Sequence, residues 1–395
     1  MKDISLIREI EKELKIALRF SKIILICGPT KSGKTALLKR YKQSRAYYDL
    51  GKQLTFENFK ASPEVFSRRL KYPCIIENIE EGKELLHLLY SDLKYRNPGD
   101  IILTTDQELS PELKRFVKTV DNQISVYELS YPTYFELNNK PCLDLDFNNL
   151  KIPYNLKTDD NLLSLASRAF DYGSEVNERK LIDKLKDNAF KLNYNALEID
   201  LIDKVLSEIA KCAGNQVNIS ALAAKLDTNK YTINTILNLL IKFKVVNKLE
   251  PINDEELNYV VKTEKIYFYS INLLCKLLNI KNNEFLLLSD YRDQILENYL
   301  INMIINQYKT VGRHILFNYY ENTNGVKIDL ILNNIGKVNL VKFQLRTVNE
   351  KKLKQGEKVF LKTRLKIGQS IVVSYDIDRT YDNTVYSLIT PDFFA

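Results

Sequence analysis

Residues Gly28 to Thr35 read GPTKSGKT, two glycines enclosing four variable positions and leading into a lysine and a threonine. Each residue type at that spacing answers a need of phosphate chemistry. Glycine leaves main-chain N–H groups open to an anion where a Cβ would intrude, so Gly28, Pro29, Thr30, Lys31, Ser32 and Gly33 can wrap a chain of phosphates. Lys34 offers an ammonium to the outer phosphates, and Thr35 offers a hydroxyl to Mg²⁺. The apolar run Ile23 to Cys27 precedes the loop and a helical pattern begins near Lys34, the strand, loop and helix-start context the chemistry requires. Only 12 glycines occur in 395 residues, so a fortuitous glycine turn is the weaker alternative.

Hydrolysis of a triphosphate also needs carboxylates, one for the metal shell and one to position water. A second apolar run ends CIIENIEE, which places Glu77 for the metal and Asn78 where an amide cannot accept a proton. Glu80 is a candidate to stand in for the missing base, although the plainer reading puts Glu80 and Glu81 on an exposed helix start. A third run ends LTTD, so Thr104, Thr105 and Asp106 either sense the outermost phosphate or form an ordinary polar turn. Arg115 is the candidate for an arginine donated to a neighbouring subunit. These residues predict binding of ATP, with Thr35 and Glu77 holding Mg²⁺, and slow turnover.

The elements that must position them are legible as alternating patterns. An opening helix covers residues 3 to 19, and strand-like runs at Ala46 to Leu50, Tyr72 to Glu77, Ile101 to Thr104 and Ile124 to Leu129 alternate with helical stretches such as Gly82 to Tyr95. Alternation of this kind predicts an α/β fold, a parallel sheet with helices on both faces. Asn139 to Asp160, rich in Asn, Pro and Asp, marks a boundary. Beyond it lie three helical patterns between Ile199 and Glu250, a strand at Ile266 to Tyr269 and a long helix from Phe285 to Asn306. A meander at His314 to Tyr319, Val326 to Leu332 and Val338 to Leu345 follows, then a basic helix over Asn349 to Leu365 and a strand at Ser370 to Tyr375.

Composition narrows the class. Hydrophobic residues at 45% and charged residues at 27% exclude a disordered or fibrous chain. The absence of a long apolar run and of a secretory leader predicts a cytoplasmic protein with no membrane partner. Cysteines 27, 74, 142, 212 and 275 form no C-x-x-C pair and only His87 and His314 are available, so free thiols and no structural metal are expected.

The formal charge is +8, and between Val326 and Lys366 eleven basic residues face three acidic ones, so that segment carries the whole excess. Lys351, Lys352, Lys354, Lys358, Lys362, Arg364 and Lys366 are therefore candidates for contact with nucleic-acid phosphates, against the plainer alternative of a solvated lysine face. Upstream, Ser220 to Leu226 and Tyr231 to Phe243 read as two helices joined by a turn. Lys230, Tyr231 and Asn234 at the start of the second could reach phosphates or base edges, although such an arrangement also serves protein contacts.

In combination these motifs resemble a group of AAA-type ATPases of archaea and bacteria that join a P-loop domain to a winged helix and a restriction-endonuclease-like domain. The resemblance is carried by GPTKSGKT, CIIENIEE, ILTTD and YPTYFEL, then by LAAKLDTNKYTINTILNLLIKFKVVNKL, KIYFYSINL, LENYLINMII and KIDLIL, in the family's order. It implies an ATPase core at 1–145, a helical lid at 146–195, an all-α winged-helix region at 196–283 and an α+β nuclease-like domain at 284–395. Two departures matter. The family carries Asp-Glu where this chain has Glu77-Asn78, and the strand NLVKFQL puts Lys342 and Gln344 at the places a nuclease gives to a carboxylate and a lysine. With Glu297 and Asp329 as the remaining carboxylates and an ammonium beside them, the domain is expected not to cut.

The reading is thus an ATP-dependent switch that presents a winged helix and a basic domain to nucleic acid, DNA foremost, with a homo-oligomer suggested by the family's rings. One alternative is a scaffold with structural ATP that meets an acidic partner protein. A less favoured one is an active ATP-dependent nuclease.

Overall fold

The computed structural model describes residues 7–132, 136, 145–147, 149–150, 175–192, 194–253, 255–257, 261–310, 315–344, 350–373 and 386–389. Cys142, His314, the 151–174 part of the expected lid and the end of the last expected strand lie outside them. The chain divides into two compact units, one of Met1–Pro141, Ile241–Val245 and Asn306–Arg313, the other of Cys142–Leu240, Val246–Ile305 and His314–Ala395.

The first unit runs α1 (Ile10–Phe20), β1 (Ile23–Cys27), α2 (Lys34–Leu38), β2 (Ala46–Asp49), α3 (Gln53–Ala61), α4 (Pro63–Arg68), β3 (Cys74–Glu77), α5 (Leu85–Asp92), β4 (Ile101–Thr105), α6 (Pro111–Val120) and β5 (Ile124–Glu128). Its five strands are all parallel, in the order β2-β3-β4-β1-β5, the expected α/β architecture. Because strand side chains alternate, β1 serves two cores at once. Ile23, Leu25 and Cys27 face Leu50, Phe59, Leu85, Leu89 and Phe116, while Ile24 and Ile26 face Ile10 and Leu14 of α1 and Leu37 and Leu38 of α2. All five β1 residues are buried, which is why that stretch reads as an unbroken apolar run. In register, Cys27 lies opposite both Thr105 and Glu128, so the carboxyl ends of β1, β4 and β5 form one edge, the usual place for a ligand in an open parallel sheet.

The second unit is mixed α/β rather than all-α followed by α+β. A two-stranded ribbon pairs β6 (Leu145–Asp146) with β7 (Asn149–Leu150). The helices α7 (Glu175–Lys191), α8 (Ala196–Ala210), α9 (Ile219–Lys225) and α10 (Lys230–Lys242) follow, then β8 (Val246–Pro251), antiparallel to β9 (Lys265–Phe268). Beyond are α11 (Ile271–Leu277), α12 (Asn283–Leu288), α13 (Arg292–Thr310), β10 (Leu316–Glu321), β11 (Lys327–Asn334), β12 (Lys337–Phe343), α14 (Glu350–Phe360), β13 (Lys366–Val373) and β14 (Tyr386–Ile389). The meander β10-β11-β12 lies close to the three runs that the sequence marked. However, β8 pairs parallel with β10, which draws the region expected to be all-α into one seven-stranded sheet, β14-β13-β12-β11-β10-β8-β9. The single helix expected over Phe285 to Asn306 is two, α12 and α13. Ser289 is extended and its hydroxyl accepts from Tyr291 N, the local competition by which serine interrupts a helix.

No described helix is long and apolar enough to cross a membrane, and Cys27, Cys74, Cys212 and Cys275 are free thiols.

Candidate functional site

The loop GPTKSGKT leaves β1 at the carboxyl edge of the first sheet and is pinned to the strands on either side. Gly28 N donates to Thr105 O (3.2 Å) and Leu129 N donates to Cys27 O (2.7 Å). A Cβ at Gly28 would lie 2.1 Å from Leu129 O, so only glycine lets the loop pass. Gly33 has a φ of +96°, a left-handed turn that a side chain would strain.

A buried guanidinium braces the loop from outside the motif. Arg8 donates through Nη1 to Ser32 O (2.7 Å), through Nη2 to Ser130 O (2.7 Å) and through Nε to Glu136 Oε1 (3.0 Å). The Tyr131 hydroxyl donates to Thr30 O (3.1 Å). Sequence reasoning missed Arg8 and Tyr131. The stretch YPTYFEL marked Glu136, but a partner 128 positions away leaves no local pattern.

Inside the loop, Lys34 is 5% exposed and its ammonium meets Gly28 O (2.7 Å), Pro29 O (2.9 Å) and Asp106 Oδ1 (2.8 Å). Lys31 points to solvent. Thr35 Oγ1 donates to Glu77 Oε2 (2.9 Å), while Glu77 Oε1 is buried with no hydrogen-bond partner among the described residues. Tyr47 stands beside Glu77 and Asp49, and burial with those two carboxylates pushes its phenol well above the ordinary range. A sealed carboxylate oxygen without a donor among the described residues, next to a threonine hydroxyl, suits a hard cation that takes oxygen ligands. Thr35 and Glu77 therefore fit Mg²⁺.

Asn78 and Glu80 sit differently from the expectation. Asn78 takes a left-handed conformation (φ 57°) and its Nδ2 donates to Asp49 Oδ1 (2.7 Å), which commits the amide to the turn after β2. Glu80 is not an exposed helix start. A 3₁₀ turn over Ile79–Gly82 presses Gly82 against Leu50 and Phe59, and this seats Glu80 against the end of β4. Its Oε1 accepts from Asp106 N (3.0 Å), and its Oε2 is sealed from solvent with no hydrogen-bond partner among the described residues. Burial first, then the Asp106 charge, pushes the Glu80 carboxyl up to about 7. Thr105 is fully buried beside it and accepts through Oγ1 from Gln107 N (3.2 Å). Thr104 Oγ1 accepts from Asn78 N (3.4 Å). Thus Lys34, Thr35, Glu77, Glu80, Thr105 and Asp106 come together, whereas Arg115 is exposed on α6 with no hydrogen bond or ion pair to them.

In the second unit Lys230, Tyr231 and Asn234 are exposed at the start of α10. Lys351, Lys352 and Lys354 lie on α14; Lys358, Lys362, Arg364 and Lys366 are exposed, Arg364 pairing with Glu256 (2.9 Å). Lys327 is the partner of fully buried Asp329 (3.3 Å), and Lys342 Nζ donates to Lys327 O (2.9 Å). Glu297 accepts from the Tyr267 hydroxyl (3.3 Å), and burial followed by the Asp329 charge raises its carboxyl.

A family model described as a domain of unknown function (DUF8612) matches residues 179–284, about a quarter of the chain. No curated protein matches. Among solved structures the chain is similar to the Walker-type ATPase PABY2304 of Pyrococcus abyssi, at 14% identity and a TM-score of 0.36, over 70% of this chain and 96% of that one. It is also similar to PH0952 of Pyrococcus horikoshii, a signal transduction ATPase with numerous domains and a tetratricopeptide repeat sensor, at 13% identity and a TM-score of 0.24, over 76% of this chain and 48% of that one. Protein VC1899 of Vibrio cholerae matches at 11% identity and a TM-score of 0.20, over 94% and 95%.

Proposed function

We propose that the first unit binds ATP with Mg²⁺ and hydrolyses it slowly, with Glu80 in place of Asn78 as the group that positions water. The observation that carries this reading is the pair Thr35–Glu77, joined at 2.9 Å with Glu77 Oε1 buried and without a hydrogen-bond partner among the described residues, together with the buried ammonium of Lys34 inside a glycine-pinned loop. Loop N–H groups and Lys34 would hold the phosphates, and Thr35 and Glu77 would hold a cation whose positive charge would offset that of the phosphates. Glu80, poised near 7, takes a proton from water that Asn78 could not take. Phosphate release from labelled ATP tests the assignment: Glu80→Gln abolishes turnover and Asn78→Ala retains it. Loss in Asn78→Ala with retention in Glu80→Gln would reverse the roles.

The finer reading follows the family resemblance. Residues 196–283 act as a winged helix and 284–395 as a nuclease-like domain that does not cut, and nucleotide state governs how they meet DNA. The exposed Lys358, Lys362 and Lys366 support the DNA part, and the Lys327–Asp329 pair supports the loss of cutting, since an ammonium engages Asp329 while Lys342 stands where the resemblance expects a carboxylate. In a homo-oligomer, the exposed Arg115 reaches a neighbour's site.

A further inference from the structure

The ammonium of Lys34 has three N–H bonds, and three strong acceptors surround it. Two are carbonyls of its own loop, Gly28 O at 2.7 Å and Pro29 O at 2.9 Å. The third is an anion from a different element, Asp106 Oδ1 at 2.8 Å, one residue beyond β4. Ser32 Oγ stands further off at 3.4 Å. The carboxylate is seated from both sides, because Asp106 Oδ2 accepts from the Thr30 hydroxyl (2.9 Å) and Asp106 N donates to Glu80 Oε1 (3.0 Å). Lys34 is only 6% exposed at its side chain and Asp106 15%, so the pair is largely shielded from water and salt.

A phosphate that reaches Lys34 must take an N–H from one of these three acceptors. The loop carbonyls are fixed by the same backbone that wraps the phosphates. The carboxylate is held only through side-chain torsions that can rotate, and an incoming anion repels it. We propose that Asp106 is a tethered competitor for the phosphate site, an autoinhibitory contact that lowers nucleotide affinity and is displaced when nucleotide binds. The proposal rests on the nucleotide-binding reading above. It also places the competitor next to the candidate base, because the main-chain N–H of the same residue donates to Glu80 Oε1. A merely orienting role for Asp106, holding Lys34 ready for phosphate, requires the opposite effect when the carboxylate is removed.

The sign of that effect decides. The full chain is titrated with Mg²⁺ and a non-hydrolysable ATP analogue by calorimetry, as wild type, Asp106→Asn, Asp106→Ser, Lys34→Ala and the Lys34→Ala/Asp106→Asn double variant, with thermal melts to confirm folding. The expected result is affinity about tenfold higher in Asp106→Asn and in Asp106→Ser, one exchanged charge-assisted hydrogen bond, with the gain absent when Lys34 is already removed. Equal or weaker binding by both Asp106 variants, while the wild type binds, overturns the competitor and leaves the nucleotide reading standing. So does an equal gain in the Lys34→Ala background, which would mean general charge repulsion. If no variant binds, both readings fall.

Discussion

Thr35 Oγ1 lies 2.9 Å from Glu77 Oε2, joining the first turn of α2 to the end of β3. The hydroxyl and the carboxylate come from segments 42 positions apart, yet the parallel order β3-β4-β1 brings them to one sheet edge. Neither needs the other for its element to form, which marks their contact as a property of the site.

Removing either partner should therefore weaken the cation-dependent part of binding. Thr35→Ala and Glu77→Gln are each expected to lower affinity for Mg²⁺ with ATP by about 10- to 100-fold. Melting temperature without nucleotide should fall modestly for Thr35→Ala, since buried Glu77 loses its hydroxyl donor. Manganese electron paramagnetic resonance with a non-hydrolysable analogue reads the loss directly, and an unchanged spectrum would remove these two residues from the metal shell.

Glu80 makes opposite predictions for activity and stability. Its carboxyl is raised to about 7, so the folded protein holds a proton that the unfolded chain has released at pH between the ordinary carboxylate value and 7. Stability is therefore highest below that window and falls as pH rises through it. Glu80→Gln should stabilise the protein by about 1–3 kcal/mol at pH 8 while abolishing turnover. In the wild type, turnover should rise with pH through about 7 and level off. Denaturant melts and a rate profile over pH 5.5–9 check both signs.

Arg8 is expected to matter more than its position near the start suggests. Arg8→Ala leaves buried Glu136 without its guanidinium and the loop carbonyl of Ser32 without its donor, a loss of about 3–5 kcal/mol. Arg8→Lys keeps the charge but not the fork that reaches three acceptors, and should recover less than half. Chemical denaturation measures this.

The basic surface is tested through salt. If Lys358, Lys362 and Lys366 neutralise DNA phosphates, replacing all three with glutamate should flatten the log-log salt dependence of binding by about 2–3 units. A slope that does not change places the phosphate contacts elsewhere.

What the sequence disclosed was whatever a short stretch encodes by itself. The run Ile23–Cys27 and the glycine spacing after it announce an interior strand and its loop, because a strand buried on both faces and a turn at positive φ restrict composition locally. The meander β10-β11-β12 was legible because its strands are short apolar runs, β11 and β12 being buried along most of their length. What depended on distant partners was not. Glu80 read as exposed because charged residues after a strand usually are, and only the packing of Gly82 on Leu50 and Phe59 turns it inward. Arg8 carried no signal, since its acceptors are main-chain carbonyls and a glutamate far along the chain. The parallel pairing of β8 with β10 likewise has no local signature, so the strand at Ile266 to Tyr269 was legible while its membership, with β8, of the larger sheet was not.

Calorimetric titration of the wild type and of Lys34→Ala with ATP and Mg²⁺ tests the central claim most directly. Saturable heat and a raised melting temperature in the wild type, with affinity reduced at least about 100-fold in Lys34→Ala, are predicted. No heat and no thermal protection in the wild type, or equal affinity in the variant, would contradict it.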